Sequence, residues 1–187
     1  RQAGVEREML LKRDLYVELP PAMIASIHSI TSMMDLKVSI EDINAEYTRG
    51  VSASVKVELT ASCATIRDYG LFVRELGLSY MRLIAQRNEL VGRKLPLGSA
   101  GDASGGPTKK RREEAFRRDY WQFVKMCREE FVRLAEFYVP AILAIRSELT
   151  LPIDDETEYR RFVEESLSIE VGAFDTFLAD LANPANP

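Results

Sequence analysis

The sequence holds one histidine, His28, and only two cysteines, Cys63 and Cys127. That scarcity excludes several chemistries together. A zinc centre built from clustered His and Cys ligands needs more of both. A di-iron bundle needs paired Glu-x-x-His motifs, which a single histidine cannot supply. Two cysteines cannot form a disulfide framework. One bridge in an oxidising compartment stays open beside the simpler expectation of two reduced, buried thiols that pack as small hydrophobes. Long apolar runs are also missing. None approaches the ~18–20 residues of a membrane span, and no signal peptide is visible. A net charge of −4 disfavours general nucleic-acid binding while leaving room for a local basic patch.

The glycine-rich stretch does not supply a catalytic loop either. Gly101-Asp102-Ala103-Ser104-Gly105-Gly106-Pro107 is similar to the serine-nucleophile motif of trypsin-like proteases, but Ala103 is an insertion that displaces the serine. Gly101 and Gly106 have the glycine spacing of a P-loop, yet Pro107 and Thr108 stand where Lys and Ser/Thr are required. Glu129, Glu130 and Glu136, like Glu164, Glu165 and Glu170, read as solvated helix faces, not as cation ligands. His28 reads as a flank residue at a helix interface. No catalytic residue, metal site or cofactor is expected, and the chain is read as a non-enzyme.

What the sequence does have is apolar material at helical spacing. Apolar residues are 46% of 187, enough for one domain with a sizeable core. Residues 4–19 read as helical, and Pro20-Pro21 either separates two helices or kinks one. Met23, Ile27, Ile30 and Met34 form a seam beyond them. After a turn at 35–38, Ser39-Ile40-Glu41-Asp42 resembles a capping box with Asp in the place of Glu or Gln. Residues 51–60 alternate like a strand, but a lone strand has no partner for its backbone. A helix from 40 to about Val91 is therefore expected, with a stripe through Ile43, Tyr47, Val51, Val55, Leu59 and Ser62 and soft points at Gly50, Gly70 and Gly77.

Residues 92–108 read as a flexible loop. Residues 109–150 carry the strongest stripe, Phe116, Tyr120, Phe123, Cys127, Phe131, Leu134, Tyr138, Ile142, Ile145 and Leu149, interrupted by Pro140. The off-stripe Trp121 is a candidate exposed contact. Leu151-Pro152-Ile153 ends that helix, and Asp154 or Asp155 caps a last one with Tyr159, Val163, Leu167, Val171, Phe174, Leu178 and Leu181 on its inner face. The fold expected is all-α, a long antiparallel up-down four-helix bundle in one domain over 1–187. In it, Arg1, the loop 92–108 and the C-terminus share one end, and the turns at 35–39 and 151–154 share the other.

One feature exceeds what such a fold requires. Arg93, Lys94, Lys109, Lys110, Arg111 and Arg112 cluster at the loop, with Arg117 and Arg118 beyond. Cations in a helix's first turn oppose its dipole. They mark a candidate site for an anionic partner, with a membrane surface the foremost choice.

Two segments resemble bacterial membrane-tethered helical-domain proteins of uncharacterised function. They are Arg7-Glu8-Met9-Leu10-Leu11-Lys12-Arg13-Asp14-Leu15-Tyr16-Val17 and Ala144-Ile145-Arg146-Ser147-Glu148-Leu149-Thr150-Leu151-Pro152-Ile153-Asp154. The resemblance implies a transmembrane segment before Arg1, and brings no activity with it. The expectation is thus a non-catalytic interaction or scaffold domain, either cytoplasmic or tethered to a membrane, with a protein partner or a second copy of itself. A ligand-sensing bundle that signals along its helices is the alternative.

Overall fold

A computed structural model describes residues 2–97, 107–148 and 156–182. Within those spans the side chains of 2–9, 11, 14–16, 94–97, 107–109, 156 and 159 lie outside the description. The expected turn at 151–154 with its Asp cap, and residues 98–106 of the expected loop, also fall outside it. The described residues contain five helices and no strand: α1 (Gln2–Ser32), α2 (Ile40–Thr60), α3 (Cys63–Leu97), α4 (Pro107–Glu148) and α5 (Glu156–Ala182).

Residues 51–60 are helical, as the want of a partner strand required. Pro20 and Pro21 sit inside one helix and Pro140 inside another. Helix also occupies 92–97 and 107–108, so the expected loop is shorter at both ends. Ser39 caps α2: its Oγ accepts from the Asp42 amide at 3.0 Å and donates to the Asp42 carboxylate at 2.7 Å.

The expected four legs are five because the second folds back at Ala61-Ser62. Ala61 is extended (φ −94°, ψ 164°), while its amide still donates to Val57 at 2.9 Å. Ser62 then opens α3, its Oγ 3.4 Å from the Thr65 amide. The Glu148 carboxylate at the end of α4 accepts from the Ser62 amide at 2.6 Å and the Thr65 hydroxyl at 2.8 Å. An anion there satisfies the Ser62 amide and suits the positive end of the α3 dipole. Burial alone would raise the Glu148 pKa, but these hydrogen bonds and the charge of Lys12 outweigh it and lower it.

Successive helices run antiparallel. Ser32 bonds Glu46 at 2.8 Å and Lys56 pairs with Glu18 across α1 and α2. Tyr47 stacks on Tyr80 with centroids 4.1 Å apart, and the Tyr69 hydroxyl donates to the Gly50 carbonyl at 2.9 Å, across α2 and α3. Ser79 bonds Glu130 at 2.7 Å across α3 and α4. Arg128 pairs with Asp175 at 2.6 Å across α4 and α5. The buried face of α2 is Ile43, Gly50 and Val57. Val55 and Leu59, expected on the inner stripe, are exposed, because steps of four residues drift around the helix, away from the face that Ile43, Gly50 and Val57 bury.

The core lies among α1, α3 and α4, where Met23, Ile30, Phe72, Leu76, Leu83, Phe123, Phe131 and Leu134 are buried. Each such side chain contributes about 1.5–3 kcal/mol on leaving water. Cys127 belongs to this core and burial pushes its thiol pKa upward, which makes it inert. Cys63 is exposed, against the expectation of two buried thiols, and both are free. α5 packs on α4 alone among the described helices.

Candidate functional site

The end of the bundle holding the basic segment is assembled from three connections. Tyr120 on α4 donates to the Met34 carbonyl at 2.7 Å, and burial pushes its pKa up to about 12. Arg87 on α3 donates to the carbonyls of Asp35 (3.2 Å) and Val38. These two side chains satisfy backbone acceptors where α1 ends, and the Arg87 charge suits the negative end of the α1 dipole. Phe177 on α5 meets the Tyr120 ring edge-on at 6.4 Å. The α1–α2 turn therefore shares its end with the start of α4.

The early part of α1 lies at the opposite end, where Lys12 acts on Glu148 and Glu18 pairs with Lys56. This corrects the expectation that the N-terminal end of the chain and the basic loop lie together. The extra hairpin reverses the chain once more, so α1 runs towards the basic end instead of away from it.

The six residues of the expected basic patch divide into three groups. Arg93 is exposed but engaged, paired with Glu89 and, at 2.7 Å, with Asp119. The side chains of Lys94 and Lys109 lie outside the described residues. Lys110, Arg111 and Arg112 are exposed, and no ion pair is found for them among the described residues. Arg118 reaches Asp119 at 3.5 Å. Trp121 is half-buried instead of an exposed contact, with the Lys125 ammonium 5.9 Å above its ring.

A second candidate was not legible from sequence. α1 and α5 both pack on α4, and a trough of about 590 Å³ lies between them. Phe131, Tyr138 and Ile142 of α4 form its floor; Ile24 and Ile27 line one wall, and Phe162 and Leu167 the other. Polar groups sit towards its ends, with Arg146 at one and His28 and Glu170 at the other. Arg146 is half-buried, whereas His28 and Glu170 are exposed. His28 is thus exposed on a lip of this trough, at the flank of α1. On the other flank of α5 lies a trough of about 610 Å³ lined by Arg128, Glu136, Arg160 and Glu164 as well as apolar side chains.

A third cluster is buried between α3 and α4. Arg133 pairs with Glu75 and, at 2.9 Å, with Glu130. Its guanidinium donates to Ser79 at 2.8 Å, and Arg74 and Arg82 complete the set at 2.9 Å each. Hydrogen bonds from Arg133 and Arg74 lower the Glu75 pKa against the opposing effect of burial. Every carboxylate in this cluster has a cation, so it fixes the register of two helices and offers no poised acid or base.

Among the described residues no group of three or more His, Cys, Asp or Glu side chains could hold a metal ion. No helix among them is long and apolar enough to cross a membrane. No protein family, curated protein or solved structure matches the chain.

Proposed function

We propose that this chain is a non-catalytic helical interaction domain that meets an anionic partner at the start of α4. One observation carries the reading. Lys110, Arg111 and Arg112 are exposed near the N-terminal end of α4 and have no ion pair among the described residues. A partner's negative charge would pair them.

The resemblance of residues 7–17 and 144–154 supports placing the domain as the soluble part of a membrane-anchored protein. α1 spans about 46 Å at 1.5 Å per residue. With an anchor before Arg1, an upright bundle would hold the basic end that far from the leaflet. The basic end reaches the lipid when the long axis lies along the bilayer. Co-sedimentation with phosphatidylserine-containing vesicles at low salt tests this. The native chain pellets, and the Lys110→Glu, Arg111→Glu, Arg112→Glu triple variant stays in the supernatant. Equal pelleting of the two removes the basic end from the contact.

The trough between α1 and α5 favours a second reading, a ligand-binding bundle. Its volume lies in the range of small-molecule sites, and it combines apolar walls with a few polar groups.

A further inference from the structure

We propose that the trough between α1 and α5 binds a long-chain carboxylate, its acyl tail along Ile142 and Phe131 and its head at Arg146. This rests on the ligand-binding reading and names the class of ligand.

From Phe131 to Arg146 the floor covers about 22 Å of helix axis at 1.5 Å per residue. An extended long acyl chain suits that length and lies against side chains that are apolar along the middle. Ile24 is 45% exposed and Phe162 is 63% exposed on opposite lips, apolar area that nothing among the described residues covers.

The charge distribution sets the sign of the head. Arg146 is half-buried, so its field is less screened than that of the exposed Glu170 at the far end. Arg146 also interacts within the chain, but a guanidinium has five donors in a fork that suits a carboxylate. A cationic head would have to use Glu170, which is exposed and shares its end with His28.

The test is displacement of a dansyl-labelled undecanoate from the full chain by myristate, below the micellar concentration. Saturable one-to-one displacement is expected. Ile24→Glu and Phe162→Glu change exposed positions, so the fold tolerates them, and each weakens myristate at least about tenfold. Arg146→Gln weakens myristate about tenfold and leaves myristyl trimethylammonium unchanged. The Lys110/Arg111/Arg112 triple variant binds myristate as the native chain does. The carboxylate assignment fails, with the ligand reading intact, if a neutral or cationic amphiphile of equal length binds as tightly and is lost in Ile24→Glu. Both fail if no amphiphile displaces the probe saturably, if the lip variants bind unchanged, or if the native chain dimerises without amphiphile and Ile24→Glu abolishes the dimer. Loss of myristate binding in the triple variant also overturns the proposal, since it moves the ligand to the basic end.

Discussion

α3 and α5 flank the same helix, α4, and hold it by different means. The α3 side buries Phe72, Leu76 and Leu83 and adds the enclosed Glu75–Arg133–Glu130 cluster. Further packing against α1 and α2 backs it. The α5 side buries Val163 and Phe174, and its ion pair to Arg128 uses an Asp175 that is 55% exposed. Stability is unevenly distributed in such a molecule, and the element with the fewest buried contacts opens first. The firm side gives the scaffold its shape. The loose side leaves apolar surface within reach of a ligand.

The firm side is most easily broken at the crossing of α1 and α2. A Cβ on Gly50 would stand 2.1 Å from Ser26 Oγ and 2.5 Å from Ser26 Cβ. Ser26 is itself buried and tied to the carbonyls of Ala22 and Met23 at 2.8 and 3.0 Å. Gly50→Leu is expected to cost at least about 3 kcal/mol in urea unfolding, despite leucine's better helix propensity. Ser26→Gly in the same chain recovers part of that loss; no recovery would mean the helices do not approach closely there.

Phe174→Ala acts on the loose side. It removes a buried ring 5.3 Å from Phe131 and weakens the seating of α5 by about 3 kcal/mol. Hydrogen exchange rises over 156–182 while the core of α3 and α4 keeps its protection. A uniform rise across all five helices would abolish the contrast between the two sides. Arg133→Met leaves Glu75 and Glu130 short of a cation. It is expected to cost about 2 kcal/mol, less than for a fully buried charge because Arg133 is partly exposed and Arg74 and Arg82 remain.

The smallest effect concerns pH. Glu148 has a lowered folded pKa, so its stabilisation is complete above the unfolded carboxylate value, about 4.3, and is lost as pH falls through the folded one. Glu75 contributes in the same direction. The urea midpoint of Glu148→Gln therefore falls less between pH 6 and pH 3 than that of the native chain. Parallel curves would show that the hairpin does not depend on that charge.

The helical character of the chain was legible because periodicity is a local property. The stripe from Phe116 to Ile145 is the inner face of α4, and Ser39 caps α2 as its spacing indicates. The hairpin at Ala61-Ser62 was not legible. Thr60-Ala61-Ser62-Cys63 contains neither glycine nor proline, and the carboxylate that holds it comes from Glu148, distant in sequence. That one omission reversed the direction of α1 relative to the basic loop. Gly50, expected to be a soft point, is where two helices touch. Exposed charge at Lys110–Arg112 could be read from composition. The trough could not, because Ile24 and Phe162 lie beside their helices' stripes and become neighbours of Ile142 only when three helices assemble.

The grip of Arg87 and Tyr120 on the α1–α2 turn has a consequence for biosynthesis. The acceptors at Met34, Asp35 and Val38 precede their donors Arg87 and Tyr120 in the order of synthesis. At about 5–20 residues per second, the stretch from Thr60 to Glu148 takes roughly 5–20 s to be made. Met23, Ile27 and Ile30, buried in the finished fold, are made before the α3 and α4 side chains that share their core.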